Sequence, residues 1–210
     1  MTKVTFRPFN SGDTGRCAQL SADAWPIVRS VVAKEDVVPF MRIYVDLSRA
    51  ASTHLEMACL DNEVAGFLLG RINGDAGGMK RLSAGWSYLK SGSKLLLGRP
   101  RLRRPLVFAR KFFATELKVR QCTTGSEAEV VLFVVEAKQR GLGIGRALMD
   151  RFVSAVRERQ ARTITLYTEP LSNWRFYERY GFTRRATFID DLDTYFRKEE
   201  TEGYVYALNL

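Results

Sequence analysis

The stretch 129–160, EVVLFVVEAKQRGLGIGRALMDRFVSAVRERQ, decides the fold. Val130, Val131, Leu132, Phe133, Val134 and Val135 form a continuous β-branched and aromatic run, which suits a strand buried on both faces. Past the glycines, Leu148, Phe152, Val153 and Val156 recur at helical spacing, while Asp150, Arg151, Arg157, Glu158 and Arg159 take the other face. Between the two lies the bend Arg140-Gly141-Leu142-Gly143-Ile144-Gly145. A glycine-rich bend from a buried strand into a helix exposes several backbone N–H groups at the positive end of the helix dipole. The ligand that suits such a place is a phosphate.

Two common phosphate motifs do not fit. Arg146 stands where a dinucleotide fingerprint needs its third glycine, and Arg146-Ala147 stands where a P-loop needs Gly-Lys. The stretch instead resembles the acyl-coenzyme A loop of the GNAT acetyltransferase superfamily, [QR]-x-x-G-x-[GA], met by Arg140, Gly143 and Gly145. A second segment is similar to the same family's N-x-x-x-Y-E-[KR]-x-G-F signature: Asn173-Trp174-Arg175-Phe176-Tyr177-Glu178-Arg179-Tyr180-Gly181-Phe182. By itself Tyr177 reads as a packing aromatic on a short helix that Gly181 ends. The resemblance runs from Glu129 to the C-terminus, is loose over the first 70 residues and hardly reaches 75–125.

The resemblance implies one α/β domain over 1–210 with a basic insertion at about 75–125. Its mixed α+β sheet would be mostly antiparallel, splayed at the coenzyme strand and flanked by helices. It implies an N-acetyltransferase that moves an acetyl group from acetyl-CoA, as cosubstrate, to a primary amine of a small molecule or peptide by direct attack. N–H groups from Arg140, Gly141, Leu142, Gly143, Ile144, Gly145 and Arg146 would wrap the pyrophosphate, and the two arginines would add charge. The backbone of Phe133, Val134 and Val135 would pair with the pantetheine arm as an added strand, with the Val135 N–H polarising the thioester carbonyl. Asn173 would hold the arm, and Tyr177 would give the departing thiolate its proton, a phenol pKa of about 10 lying just above a thiol's of about 8.5. An amine must first lose a proton, and Glu129 and Glu127, at the start of the coenzyme strand, are the nearest candidates in sequence. Ala137 replaces a proline common in the family.

Composition agrees with such a chain. At 210 residues and 46% hydrophobic it fills one core, and no run of 18 apolar residues predicts a membrane span. The segment Met1 to Arg7 alternates like a strand and lacks a signal peptide's apolar centre, so the expected location is cytoplasmic. Cys17, Cys59 and Cys122 are widely spaced without C-x-x-C, which predicts plain thiols and no metal. The single histidine, His54, reads as a satisfied structural residue, and one histidine is too few for most metal sites or hydrolytic triads. Net charge is +10, and from Met79 to Arg120 there are 12 Lys plus Arg against the single acid Glu116. That block is a solvated face or a meeting surface for anions, so nucleic-acid or membrane-surface partners stay open though not favoured. A non-catalytic acyl-CoA-binding module is the remaining alternative.

Along the chain the pattern predicts a strand at 3–9, then a helix capped by Asp13 and interrupted at Pro26, then a helix from about Val38 to Ala51. A hairpin follows, Leu55–Leu60 and Glu63–Ile72 about the turn Asp61-Asn62. Trp25, Phe40 and Tyr44 are candidate acceptor contacts, though as core aromatics they would be ordinary. From 74 to 126 the breakers Gly77-Gly78, Ser91-Gly92-Ser93 and Gly98-Arg99-Pro100 surround Trp86-Ser87-Tyr88-Leu89 and a basic amphipathic helix over Arg103–Arg120, with Leu106, Phe113 and Leu117 on one side. The expectation is a lid over the acceptor cleft. Strands at 163–167, 182–188 and 204–210 complete the sheet, with Asp190-Asp191-Leu192-Asp193 exposed between the last two.

Overall fold

A computed structural model describes residues 3–73 and 100–210. One seven-stranded sheet runs through the molecule in the order β1-β2-β3-β4-β5-β7-β6. The strands are β1 Val4–Pro8, β2 His54–Leu60, β3 Glu63–Ile72, β4 Ala128–Val135, β5 Thr163–Thr168, β6 Thr183–Ile189 and β7 Glu202–Asn209. Every neighbouring pair is antiparallel except β4 and β5. The mixed, mostly antiparallel sheet expected from the sequence is therefore present. Asp61 and Asn62 both adopt positive φ, 49° and 70°, the conformation a tight two-residue hairpin turn demands and these side chains tolerate.

Helices cover both faces. They are α1 Thr14–Ala24, the single turn α2 Val28–Val31, α3 Val37–Ala50, α4 Pro105–Cys122, α5 Ile144–Glu158, α6 Trp174–Tyr180 and α7 Asp191–Arg197. On one face α5 buries Ile144, Leu148, Met149, Phe152 and Val156 against Leu68, Ile72, Val130, Ile164 and Leu166. Each such side chain contributes about 1.5–3 kcal/mol through removal from water, so this contact fixes where the glycine bend stands. Gly70 lets the helix approach, since a Cβ there would lie 2.3 Å from the Phe152 ring. On the other face Cys17, Leu20 and Val45 of α1 and α3 pack on Met57, Phe67, Leu69 and Leu132. Burial pushes the Cys17 thiol up to about 12, and among the described residues all three cysteines are free, as expected.

Three expectations change. Asp13 stands at the start of α1 but its carboxylate accepts no N–H from that helix; it receives Arg7 at 2.7 and 2.8 Å and the Asn10 N–H at 2.7 Å. His54 is not satisfied: it packs on Phe152 at 5.3 Å, its Nε2 lies 3.6 Å from Glu56 with no hydrogen bond, and burial lowers its pKa. The run Asp190-Asp191-Leu192-Asp193 is not an exposed acidic loop, because it opens α7, with Asp190 and Asp193 only 2% and 8% exposed.

Asp190 accepts the Leu192 and Asp193 N–H groups at 2.7 and 2.9 Å, capping α7. It also receives the hydroxyls of Tyr167 and of Thr115, the latter at 2.8 Å from α4. Lys111 and Lys118 of α4 reach Asp191 at 3.3 and 2.5 Å. This polar lock, with Phe108 packed edge-on to Phe40 at 5.7 Å, sets the roll of α4. Leu106, Phe113 and Leu117, which the pattern placed on the apolar side, are therefore exposed rather than packed in the core, the first two along the open cleft, while Thr115 and Val119 are buried. Of the insertion, 75–99 lie outside the described residues, and with them Gly77-Gly78, Trp86-Ser87-Tyr88-Leu89 and Ser91-Gly92-Ser93.

Candidate active site

The site begins where two strands part. β4 and β5 pair only over Ala128↔Ile164, Glu129↔Thr165 and Val130↔Leu166. Beyond that point β4 continues to Val135 on β3, whereas β5 follows β7 as far as Thr168↔Tyr204. A register shift of β3 against β4, where Leu69 faces Leu132 but Gly70 faces Val130, leaves Val131 as an unmatched bulge at the fork. Bulges re-aim a strand and end pairing, which here opens a wedge.

Ladder phase decides which backbone groups the wedge receives. Glu136 donates its N–H to Ala65 at 2.8 Å, so hydrogen-bonded pairs recur at Phe67↔Val134 and Leu69↔Leu132. Phe133 and Val135 then turn their N–H and C=O groups away from β3 and into the wedge. Val134 does not, which corrects its place among the three residues expected to pair with an added strand: its backbone serves β3, and its side chain belongs to the core.

The bend expected to hold phosphate stands at the mouth of this wedge. Gly141 and Gly143 adopt φ of +85° and +78°, and a Cβ at either would meet nothing within 4 Å. Glycine is needed there for backbone conformation alone. Among the described residues the N–H groups of Gly141, Leu142, Gly143, Ile144, Gly145 and Arg146 donate to no protein acceptor. The last three form the first turn of α5, whose dipole is positive at that end. Arg140 reaches the Val135 carbonyl at 3.4 Å, and Arg146 lies over the Tyr180 ring at 5.7 Å.

A cleft of about 1480 Å³ runs from this bend through the wedge to α1, α3 and α4. Tyr177 lines it from α6, with its ring against Phe133 at 6.4 Å and Phe182 at 5.9 Å. Its hydroxyl makes no hydrogen bond among the described residues, and burial raises its pKa well above the ordinary phenol value. Asn173, at the start of α6, lines the same wall. Glu129 opens into the cleft beside its cross-strand neighbour Arg71, with which it forms an ion pair. Glu127 does not join it: its carboxylate is exposed and accepts the Arg162 N–H at 2.5 Å, so it is removed from the candidates for base.

Trp25, Phe40 and Tyr44 line the far end, as do Phe112 and Phe113 of α4. The described part of the insertion thus forms a wall of the cleft. Two further acids line it that sequence reasoning passed over. Glu116, on α4, makes no ion pair among the described residues, and burial with the nearby Glu129 charge raises its pKa. Its isolation in a basic block was its one visible signal. Glu169, just past β5, is 9% exposed and bound to Arg197 at 2.9 Å. Nothing in the sequence marked it. Among the described residues no three His, Cys, Asp or Glu side chains gather as a metal site, and no helix is long and apolar enough to cross a membrane.

Comparison with known proteins gives concordant findings. Residues 111–184 match the family model described as Acetyltransferase (GNAT) domain. No curated protein sequence matches the chain. Among solved structures, Ard1 from Thermoplasma volcanium superposes with a TM-score of 0.55 at 19% identity, over 99% of this chain and 97% of that one. The ribosomal-protein-S18-alanine N-acetyltransferase from Escherichia coli gives 0.54 at 13% identity, over 99% and 94%. Identities this low speak for a shared fold.

Proposed function

We propose that this chain, whose residues 111–184 match the acetyltransferase (GNAT) domain and whose fold is shared with solved acetyltransferases, moves an acetyl group from acetyl-CoA to a primary amine by direct attack. The observation that carries this reading is the wedge: two strands that part at Val130↔Leu166, with the outward N–H groups of Phe133 and Val135 on one arm and a loop of unengaged amides at its mouth. A pantetheine arm laid along β4 would pair with Phe133 and Val135 as an added strand, and the amides of residues 141–146 with the Arg140 and Arg146 guanidinium groups would hold the pyrophosphate.

The acceptor enters from the aromatic end. Glu116 and Glu129 bring negative charge to a cleft otherwise walled by Trp25, Phe40, Phe112 and Phe113, which suits an ammonium carried on an apolar or flat body, whether a small molecule or a peptide end. Once deprotonated, the amine attacks the thioester carbonyl, the developing oxyanion accepts the Val135 N–H, and the C–S bond breaks as Tyr177 protonates the thiolate. The raised pKa of Tyr177 keeps its hydroxyl protonated, and so able to donate, throughout the neutral range.

The test uses thiol release from acetyl-CoA across a panel of primary amines, with calorimetry of acetyl-CoA binding. Tyr177→Phe should lower kcat by 10- to 100-fold with acetyl-CoA affinity unchanged. Unchanged kcat at pH 7–8 removes Tyr177 as the acid, and failure of well-folded protein to bind acetyl-CoA removes the reading as a whole.

A further inference from the structure

The reaction above needs a group that takes the ammonium proton, and Glu129 is already committed to Arg71. On the opposite arm of the wedge a second titratable centre lines the cleft. Glu169 follows directly on Thr168, the last residue of β5, and reaches back to α7. There Arg197 binds two carboxylates at once, Glu169 Oε2 through Nη2 at 2.9 Å and Asp193 Oδ2 through Nε at 3.0 Å. Among the described residues Glu169 Oε1 receives the Ser172 hydroxyl at 3.4 Å.

The charge count of this cluster is what makes it unusual. Two carboxylates and one guanidinium, all but buried, sum to −1 when fully ionised, and an uncompensated buried charge is costly. The neighbouring elements do not relieve it. On β5 Tyr167 gives its hydroxyl to Asp190, and Asp190 is itself an acid; on α4 Lys111 and Lys118 are engaged by Asp191. Ionising both carboxylates at once is therefore disfavoured. Burial, then the adjacent Asp193, raise the Glu169 carboxyl to about 7, while Arg197 pulls the other way.

We propose that Glu169, set against Asp193 on the clamp of Arg197, accepts the proton of the acceptor ammonium in the wedge, with Asp193 and Arg197 as positioning residues. The proposal rests on the acetyl-transfer reading. In the step, R–NH3+ gives one proton to the Glu169 carboxylate and becomes R–NH2. The nitrogen lone pair forms the N–C bond, and the C–S bonding pair leaves on sulfur. The thiolate takes the Tyr177 proton, the second nitrogen proton restores that phenol through water, and the carboxyl releases its proton to solvent. The sum is amide, free coenzyme thiol and one proton.

A carboxyl that must be ionised to act makes the rate rise with pH through its pKa. Wild-type kcat/KM for amines should show an acidic limb near pH 7. Asp193→Asn removes the like charge and should move that limb down by about one pH unit. Glu169→Gln should abolish the limb and lower kcat/KM at neutral pH by at least tenfold, with acetyl-CoA affinity unchanged. Infrared titration of the carboxyl stretch, which needs no acceptor, should show one group protonating near pH 7 in wild type, lower in Asp193→Asn and lost in Glu169→Gln. A limb unmoved in Asp193→Asn, a rate unaffected in Glu169→Gln, or no carboxyl titrating near neutrality overturns the proposal. Should Glu169→Gln fail to fold, the Asp193→Asn shift decides alone. Absence of thiol release with every amine in well-folded wild type instead refutes acetyl transfer, and this role falls with it even where the carboxyl titrates as described.

Discussion

Replacing Gly70 with alanine tests the contact that seats α5 on the sheet. The new Cβ would stand 2.3 Å from Cε2 and 2.5 Å from Cζ of Phe152, so the ring must retreat by about 1.1 Å to regain an ordinary contact of 3.4 Å. Phe152 is fully buried, and His54, the cross-strand partner of Gly70, packs on it at 5.3 Å, so the ring cannot swing aside into solvent. Overpacking of this kind costs about 1–3 kcal/mol, and the depth of the overlap argues for the upper end. For a chain of this length that lowers Tm by about 5–10 °C. Urea unfolding of wild type, Gly70→Ala, Phe152→Leu and the double variant measures the coupling. Phe152→Leu alone leaves a cavity and costs about 1–3 kcal/mol; in the double variant the smaller side chain admits the methyl, so the combined loss should fall short of the sum by at least about 1 kcal/mol. Because α5 carries the bend at residues 141–146, acetyl-CoA affinity should weaken in Gly70→Ala and recover in the double variant. Additivity within about 0.5 kcal/mol would show that the ring and Gly70 do not share the space described.

Three further outcomes follow from the same geometry. Gly143→Ala meets no atom but forces an L side chain to φ +78°, so unfolding free energy should drop by about 1 kcal/mol and calorimetric acetyl-CoA affinity by more than the fold loss explains. Asp190→Asn breaks the lock between α4 and α7; a loss of about 2–4 kcal/mol in urea unfolding is expected, with earlier hydrogen exchange in α4, whereas Lys111→Gln should cost under about 1 kcal/mol. Asp13 has its pKa lowered first of all by Arg7, so its stabilising contribution is present above the unfolded pKa of about 3.9 and is lost as pH falls through the lower folded value. Wild type minus Asp13→Asn stability should therefore be flat from pH 5 to 8 and shrink below pH 4.

Where sequence and structure part company, the distance between partners explains it. The short helix that carries Tyr177 and the glycine bend were legible because the patterns that mark them lie within a few residues along the chain. Glu169 was not, since its environment is made by Asp193 and Arg197, more than 20 residues on. The acidic run at 190–193 looked solvated because acids usually are, yet its partners Thr115 and Lys118 come from a helix about 75 residues earlier. Glu127 and Glu129 are equivalent as text; only their partners, the Arg162 N–H for one and Arg71 for the other, separate them.

By itself the sequence determined the strand, bend and helix of 129–160, the hairpin at 54–72 and the tyrosine helix, because periodicity, positive-φ turns and helix ends are local properties of the chain. Only the tertiary structure decided which β4 amides are open and which acids share the cleft. Hydrogen-bond phase is set by the register of β3, and the wedge by β7 drawing β5 aside, neither of which is written in β4.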